Sequence, residues 1–239
     1  MKYAIFGDVH SNLEALEAVL EDAYRHGCSA YACTGDLVGF NANPQECVNL
    51  VRSLTCSVVK GEWDQYISGD DDFSDFNPSA LHVAKWQRRN VDEDTRDYLR
   101  NLPLVISMDN DEWGLVHASL DTPGNYIYIT NPFDALTHFS FQFWNVSFYG
   151  HTHTPKKWHY DSKGAPEELC DEIVVTGNHR SYAFNPGSVG QPRDGDWRAS
   201  YMLFDTGERT VELRRVEYDL ELAQLKIRQS GVMPPDFGT

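Results

Sequence analysis

Positive charge is scarce in this sequence. Twenty lysines and arginines stand against 36 aspartates and glutamates, a formal net charge of -16 at pH 7 over 239 residues. A surface of that sign repels nucleic acid and anionic membranes, so broad nucleic-acid binding is not expected. Any anionic substrate must be drawn in locally, by a metal or a tight cationic pocket. Cysteine is sparse as well. Cys28, Cys33, Cys47, Cys56 and Cys170 are odd in number and form no Cys-x-x-Cys pair, which excludes a zinc ribbon. A chain of this size can do without disulfides, and reduced thiols in a cytoplasm are expected. Long apolar runs are missing. Mean hydropathy is -0.49, and no uncharged stretch approaches the roughly 18 residues a membrane span needs. The apolar start, Tyr3 to Phe6, is cut off by Asp8 and makes no signal-peptide core. Internal repeats, low-complexity tracts and long linkers are absent too, so residues 1–239 are read as one domain with a loose tail over 230–239.

What is present suits a packed core, with 41% hydrophobic residues, 13% aromatic residues and six tryptophans. Residues 2–6 read as a buried strand. Ser11-x-x-Glu14 has the form of a capping box ahead of Leu13, Leu16, Val19 and Leu20 at helical spacing, and Gly27 ends that helix. Strands are predicted at Ala30–Thr34 and Ser57–Lys60, with a helix from Pro44 to Leu54 between them. Gly61 opens a further loop, and residues 66–78, polar and acidic, read as a mobile loop with a lid as its alternative role. A helical stretch over 79–101 is broken at Asn90–Asp92. Next come a hairpin of Leu104–Met108 and Glu112–His117, a short helix at Phe133–Phe139, and strands at 146–149, 155–160, 173–176, 181–184, 199–204 and 210–216. Asp219 caps a closing helix. This order predicts an α/β fold with two face-to-face sheets, one more parallel and one more antiparallel, and helices outside.

Residues of metal-ligand type fall at strand ends. Asp8-Val9-His10, Asp36 and Gly61-Glu62-Trp63-Asp64 follow the first three strands, His117 ends a fourth, and His151-Thr152-His153 follows a fifth. Ligands bind at the carboxyl ends of strands in open α/β sheets, so these loops should converge. In an extended segment residues i and i+2 share a side, so Asp8 and His10 could serve one ion. Carboxylates mixed with imidazoles suit zinc, manganese or iron.

The blocks Gly7-Asp8-Val9-His10, Gly35-Asp36-Leu37-Val38-Gly39, Gly61-Glu62-Trp63-Asp64, Val116-His117 and Gly150-His151-Thr152-His153 resemble the five signatures of the calcineurin-like metallophosphoesterases. Asn185 to Asp196 is similar to a segment of small bacterial and archaeal phosphodiesterase-like members, some described as diadenosine tetraphosphatase-like. The resemblance implies a four-layer α/β/β/α sandwich of two mixed sheets with a dinuclear site. Asp8, His10, Asp36 and His153 would hold one divalent ion and Asp36, Glu62, His117 and His151 the other, with Asp36 bridging. The ions would be manganese, iron, zinc, nickel or magnesium. A hydroxide between them would attack phosphorus. Catalysis would lean most on Asp8, Asp36 and His151, and the substrate would be a small-molecule phosphodiester or phosphoanhydride such as a nucleotide. Alternatives are a phosphomonoesterase, a protein phosphatase, or a scaffold of this fold like the retromer subunit.

The third block departs from the family pattern. Glu62 stands where Asn is usual and Trp63 where His is frequent. An indole N–H donates a hydrogen bond but no proton near neutral pH. An ionised Glu62 would cancel the remaining positive charge of the site and favour diester monoanions over monoester dianions. Arg193 could touch a substrate phosphate, or instead pair with Asp194 or Asp196. Ser11 is read as a helix cap, and His82 as the remaining histidine near enough to overhang the site.

Overall fold

Alternation along the first strand sets the layers. In β1 (Lys2–Phe6), Tyr3 and Ile5 face one core while Ala4 and Phe6 face another. The structure is a computed structural model, and it describes residues 1–69, 73–74, 76–110, 112–177 and 179–233. The strands are β2 (Ala30–Cys33), β3 (Cys56–Val58), β4 (Val105–Met108), β5 (Trp113–Val116), β6 (Val146–Phe148), β7 (Lys156–Tyr160), β8 (Glu167–Glu168), β9 (Ile173–Val175), β10 (Ser181–Asn185), β11 (Ala199–Asp205) and β12 (Thr210–Val216). They form two six-stranded sheets, ordered β3-β2-β1-β11-β12-β9 and β4-β5-β6-β10-β7-β8. Neither is the more parallel one. Each has a parallel trio, β3-β2-β1 in the first and β5-β6-β10 in the second, flanked by antiparallel neighbours. Sequence order misleads here because β11 pairs with β1 from the far end of the chain, and β10 enters beside β6 rather than making a hairpin with β9.

Between the sheets, Tyr3, Ile5, Met202 and Phe204 meet Trp113, Leu115, Phe148 and Phe184. The Trp113 ring meets Phe148 and Phe204 edge-on, at 5.7 and 5.4 Å between centroids. Truncating so buried an indole costs about 3–5 kcal/mol. Outside the first sheet lie α1 (Leu13–Arg25), α2 (Pro44–Ser53), α3 (Glu62–Ser68), α4 (Pro78–Arg89), α5 (Glu93–Arg100) and, against α1, α7 (Leu220–Ser230). Outside the second lies α6 (Pro132–Phe141), packed through Ala135 and Phe139 onto Val116 and Ala183. The result is an α/β/β/α sandwich. No helix among the described residues is long and apolar enough to cross a membrane.

Several local expectations change. The cap of α1 is Asn12, whose Oδ1 accepts from the Ala15 N–H at 3.1 Å. Ser11 has a left-handed backbone and donates its hydroxyl to Gln87 Oε1, and Glu14 pairs with Lys226 instead of closing a capping box. The chain after Gly61 is helical at once, because the Asp64 carboxylate accepts the Gly61 N–H at 3.0 Å and starts α3. Of the expected mobile loop, residues 66–68 end α3 and Phe73 is buried beneath Arg88, 4.2 Å from its guanidinium. Residues 70–72 and 75 lie outside the described residues. The expected loose tail starts anchored, with Val232 buried, while 234–239 lie outside the described residues. His82 bonds the Gly231 carbonyl at 2.9 Å, which ties α4 to the end of α7.

Candidate metal centre

The two parallel trios deliver their chemistry at the carboxyl ends of their strands. Asp8 and His10 follow β1, Asp36 follows β2, His117 follows β5, and His151 and His153 follow β6. All six side chains are buried. Donor atoms of Asp8, His10, Asp36 and His153 lie within 4.8 Å of one another, and those of Asp36, His117 and His151 do likewise. Asp36 belongs to both sets. Its Oδ1 accepts the Trp63 N–H at 2.8 Å, which leaves Oδ2 at 3.5 Å from His10 Nε2 and 3.4 Å from His117 Nε2.

Asp8 and His10 do not meet through an extended segment. Asp8, His10, Asp36, His151 and His153 all have left-handed backbones, with φ of 49, 46, 55, 69 and 57°. Such conformations cost non-glycine residues about 1–3 kcal/mol each and persist only where surroundings over-determine them. Here the loops bond one another. The Asp8 N–H donates to the Gly35 carbonyl at 2.9 Å, the His10 N–H to the Asp36 carbonyl at 2.9 Å, and the Gly190 N–H to the Asp8 carbonyl at 3.0 Å. Close approach adds a second constraint. A Cβ on Gly61 would lie 2.2 Å from Asp36 Oδ1, and one on Gly150 would lie 2.7 Å from Asp8 Oδ2.

The imidazoles are oriented for a cation. Their outer nitrogens bond backbone carbonyls: His10 Nδ1 to Val38 at 2.9 Å, His117 Nδ1 to Thr34 at 2.7 Å and His153 Nδ1 to Gln191 at 2.7 Å. His151 bonds the backbone of Tyr126. A carbonyl only accepts, so the outer nitrogen carries the proton and the inner one is free to donate a lone pair. The inner nitrogens converge, with His10 Nε2 2.9 Å from His153 Nε2 and His117 Nε2 3.2 Å from His151 Nδ1. The lone pairs of His10 and His153 repel at that spacing unless positive charge stands between them, as a divalent ion would, while the proton on His117 bridges toward His151 until an ion takes its place. The residues therefore fit divalent ions.

Burial pushes His10, His151 and His153 down to about 4, 3 and 2, so they are neutral ligands at pH 7. Burial would lower His117 too, but Asp36 and Asp8 carry it up to about 10, so without an ion its inner nitrogen keeps a proton facing Asp36 Oδ2, which a bound metal would displace. Asp36, despite its burial, is held well below the usual carboxylate range by His117 and His10. Burial pushes Asp8 up to about 7, with Asp36 adding to the rise.

Glu62 lies beside these sets, and its carboxylate accepts from the Tyr66 hydroxyl at 3.3 Å. Burial and then the charge of Asp36 raise its pKa. Trp63 packs on Phe40 and Phe76, at 4.5 and 6.0 Å between centroids, with His10 at its edge. Arg193 pairs with neither neighbouring aspartate among the described contacts. Asp194 is taken by Arg215 and Asp196 by Arg198, at 2.7 Å for the latter. Arg193 bonds Gln191 Oε1 at 2.8 Å, and its charge is felt at Asp8, His10, His151 and His153.

Sequence reasoning missed the positioning residues. Asp64 Oδ2 accepts the Asp36 N–H and Oδ1 the Leu37 N–H, both at 2.8 Å, fixing the bridging loop. Asn185 donates to the Gly150 carbonyl at 2.7 Å and to Thr152 Oγ1 at 3.0 Å, holding the two-histidine loop. Ser188 Oγ donates to the Asp8 carbonyl at 2.7 Å. The available signals were slight: an Asp three residues after the capping Gly61, and an Asn at the end of a strand.

Known proteins share the sequence and fold of this chain. The calcineurin-like phosphoesterase superfamily domain matches residues 1–209. The uncharacterized protein MJ0912 of Methanocaldococcus jannaschii is 35% identical over 226 residues, 94% of this chain and 90% of that protein. The crystal structure of a metallophosphoesterase from Sphaerobacter thermophilus has a TM-score of 0.86 at 38% identity, covering 98% of this chain and 95% of that one. The hypothetical protein PH1004 of Pyrococcus horikoshii OT3 shares the fold, with a TM-score of 0.75 at 20% identity over 98% of this chain and 94% of that one. A matching domain over most of the chain, a close structural relative and two donor sets at the strand ends lead to one conclusion: the chain belongs to the calcineurin-like phosphoesterase superfamily.

Proposed function

We propose that this protein hydrolyses phosphodiester or phosphoanhydride bonds of small molecules such as nucleotides, using two divalent ions with manganese first among the candidates. The carrying observation is the pair of buried donor sets joined through Asp36 Oδ2. Ions held there would acidify a shared water and neutralise charge on phosphoryl oxygens. The chain's own residues do the rest. Val38, Thr34, Gln191 and Tyr126 hold the imidazole tautomers, and Asp64 and Asn185 fix the loops that carry them. Arg193 lies on the loop whose N–H reaches the His153 carbonyl at 3.2 Å. It supplies a local cation for a substrate phosphate on a protein of net charge -16. Glu62 opposes that attraction, which favours a singly charged diester over a doubly charged monoester. The five cysteines are free, which supports a cytoplasmic setting.

The test is turnover of bis-p-nitrophenyl phosphate and p-nitrophenyl phosphate with manganese, nickel, magnesium or zinc, with Asp36→Asn as control. Faster hydrolysis of the diester, abolished in the variant, is the expected result. Activity that survives Asp36→Asn would mean another site or a contaminant.

A further inference from the structure

A cavity of about 320 Å³ opens beside the metal centre, lined by Tyr128, Ile129, Thr130, Thr152, Thr154 and Lys156. Tyr128 in its wall stacks on the ring of His151, a member of the donor sets, so the cavity adjoins them. Tyr128 is 47% exposed, and one face of its ring stacks on the His151 ring with centroids 4.1 Å apart and planes 20° from parallel. The threonine and lysine groups in the wall are already engaged. Thr152 Oγ1 donates to the Thr154 carbonyl at 3.1 Å and accepts from Asn185, and Thr154 Oγ1 donates to the Thr152 carbonyl at 3.5 Å. Thr130 Oγ1 donates to Asp134 at 2.9 Å, and the Lys156 ammonium pairs with Glu168 at 2.7 Å. What remains for a ligand is threonine methyls and the Tyr128 ring with its hydroxyl, which has no hydrogen-bond partner among the described residues.

A wall of that kind recognises a flat uncharged group, with the Tyr128 hydroxyl as a polar contact at its edge. We infer that the cavity receives an aromatic substituent of the phosphoester, an aryl ring or a nucleobase, with Tyr128 as the specificity-determining residue. The inference rests on the phosphoesterase reading above for where the phosphoryl group sits. It narrows the substrate class from small phosphodiesters in general to those carrying an aromatic group within reach of the cavity from the reacting phosphorus.

Binding tests this separately from turnover. In calorimetry on the manganese-loaded protein, phenylphosphonate should bind about tenfold more tightly than methylphosphonate. Tyr128→Ala, which removes the ring, and Thr154→Trp, which fills the cavity from another wall, should each reduce that preference to about twofold or less. Metal content measured alongside shows whether either variant has disturbed the centre, and Tyr128→Phe should restore the preference. Equal affinity of the two phosphonates for the parent protein, or a preference unmoved in both variants, overturns the aromatic subsite. Hydrolysis of bis-p-nitrophenyl phosphate in the same preparation reports on the phosphoesterase reading. Selective binding without turnover therefore defeats that reading alone, and turnover without selectivity defeats the subsite alone.

Discussion

The two halves of the metal centre differ in closure. The set of Asp8, His10, Asp36 and His153 offers four buried donors, with two outer nitrogens bonded to carbonyls of the inner loops 38 and 191. The set of Asp36, His117 and His151 offers three, and Glu62 beside it is turned to Tyr66. Its outer wall is a short loop in which Tyr126 is buried but Ile127 and Tyr128 are half exposed. A four-donor pocket completes a tetrahedron from protein alone, whereas a three-donor pocket leaves a position for water or substrate. On the function proposed above, the first half would anchor its ion and the second would leave a position open to water or substrate.

The largest effect should come from removing what the halves share. Asp36→Asn should lower metal content from about two ions to about one or fewer per chain and cut kcat at least about 1000-fold, read by elemental analysis and by diester turnover. Retention of two ions would show that the halves are independent. A smaller change should separate them. Calorimetric titration with manganese should show two binding steps, the tighter lost in His153→Ala and the weaker in His151→Ala, each with about 100-fold lost affinity. The reverse assignment would invert the comparison.

A third experiment contrasts ligand histidines with a structural one. His138 is also fully buried, yet both its nitrogens are satisfied by protein, Nδ1 accepting the Leu120 N–H at 3.2 Å and Nε2 bonding Ser147 Oγ at 2.9 Å. Burial pushes its pKa down to about 3. With the folded value depressed, the unfolded chain binds the proton first as pH falls. Stability from His138 is thus complete above about 6.5 and is lost progressively toward the folded value, by about 2 kcal/mol at pH 5. Urea melts of the metal-free protein should show this slope diminished in His138→Gln, and an unchanged slope would refute it. The smallest effect belongs to Glu62→Asn. Removing that charge should raise turnover of p-nitrophenyl phosphate about fivefold, and of the diester less, with metal bound. No gain on the monoester would mean that Glu62 does not act through its charge.

Much of this could be read from residue order because ligand types at strand ends need only local pattern. The positions of Asp8, His10, Asp36, His117, His151 and His153 follow from four short strands and what comes after each. Interactions set at long range could not be read that way. Arg193 has two aspartates next to it in sequence, but β12 brings Arg215 to Asp194, and Arg198 takes Asp196. Ser11 and Asn12 are both good caps, and the choice was made by Gln87, 76 residues on. The two-residue strand β8, Glu167–Glu168, has poor strand formers and exists through its pairing with Trp158 and His159.

The loop around Ser188 has a consequence for biosynthesis. A nascent chain that has emerged through residue 153 already carries all six ligands. Ser188 and Gly190, which bond the Asp8 carbonyl, and Asn185, which bonds the His151 loop, are not yet made, and β1 still lacks β11 as its neighbour. The loops that would present these donors in their final geometry are therefore locked only once the last quarter of the chain has been made.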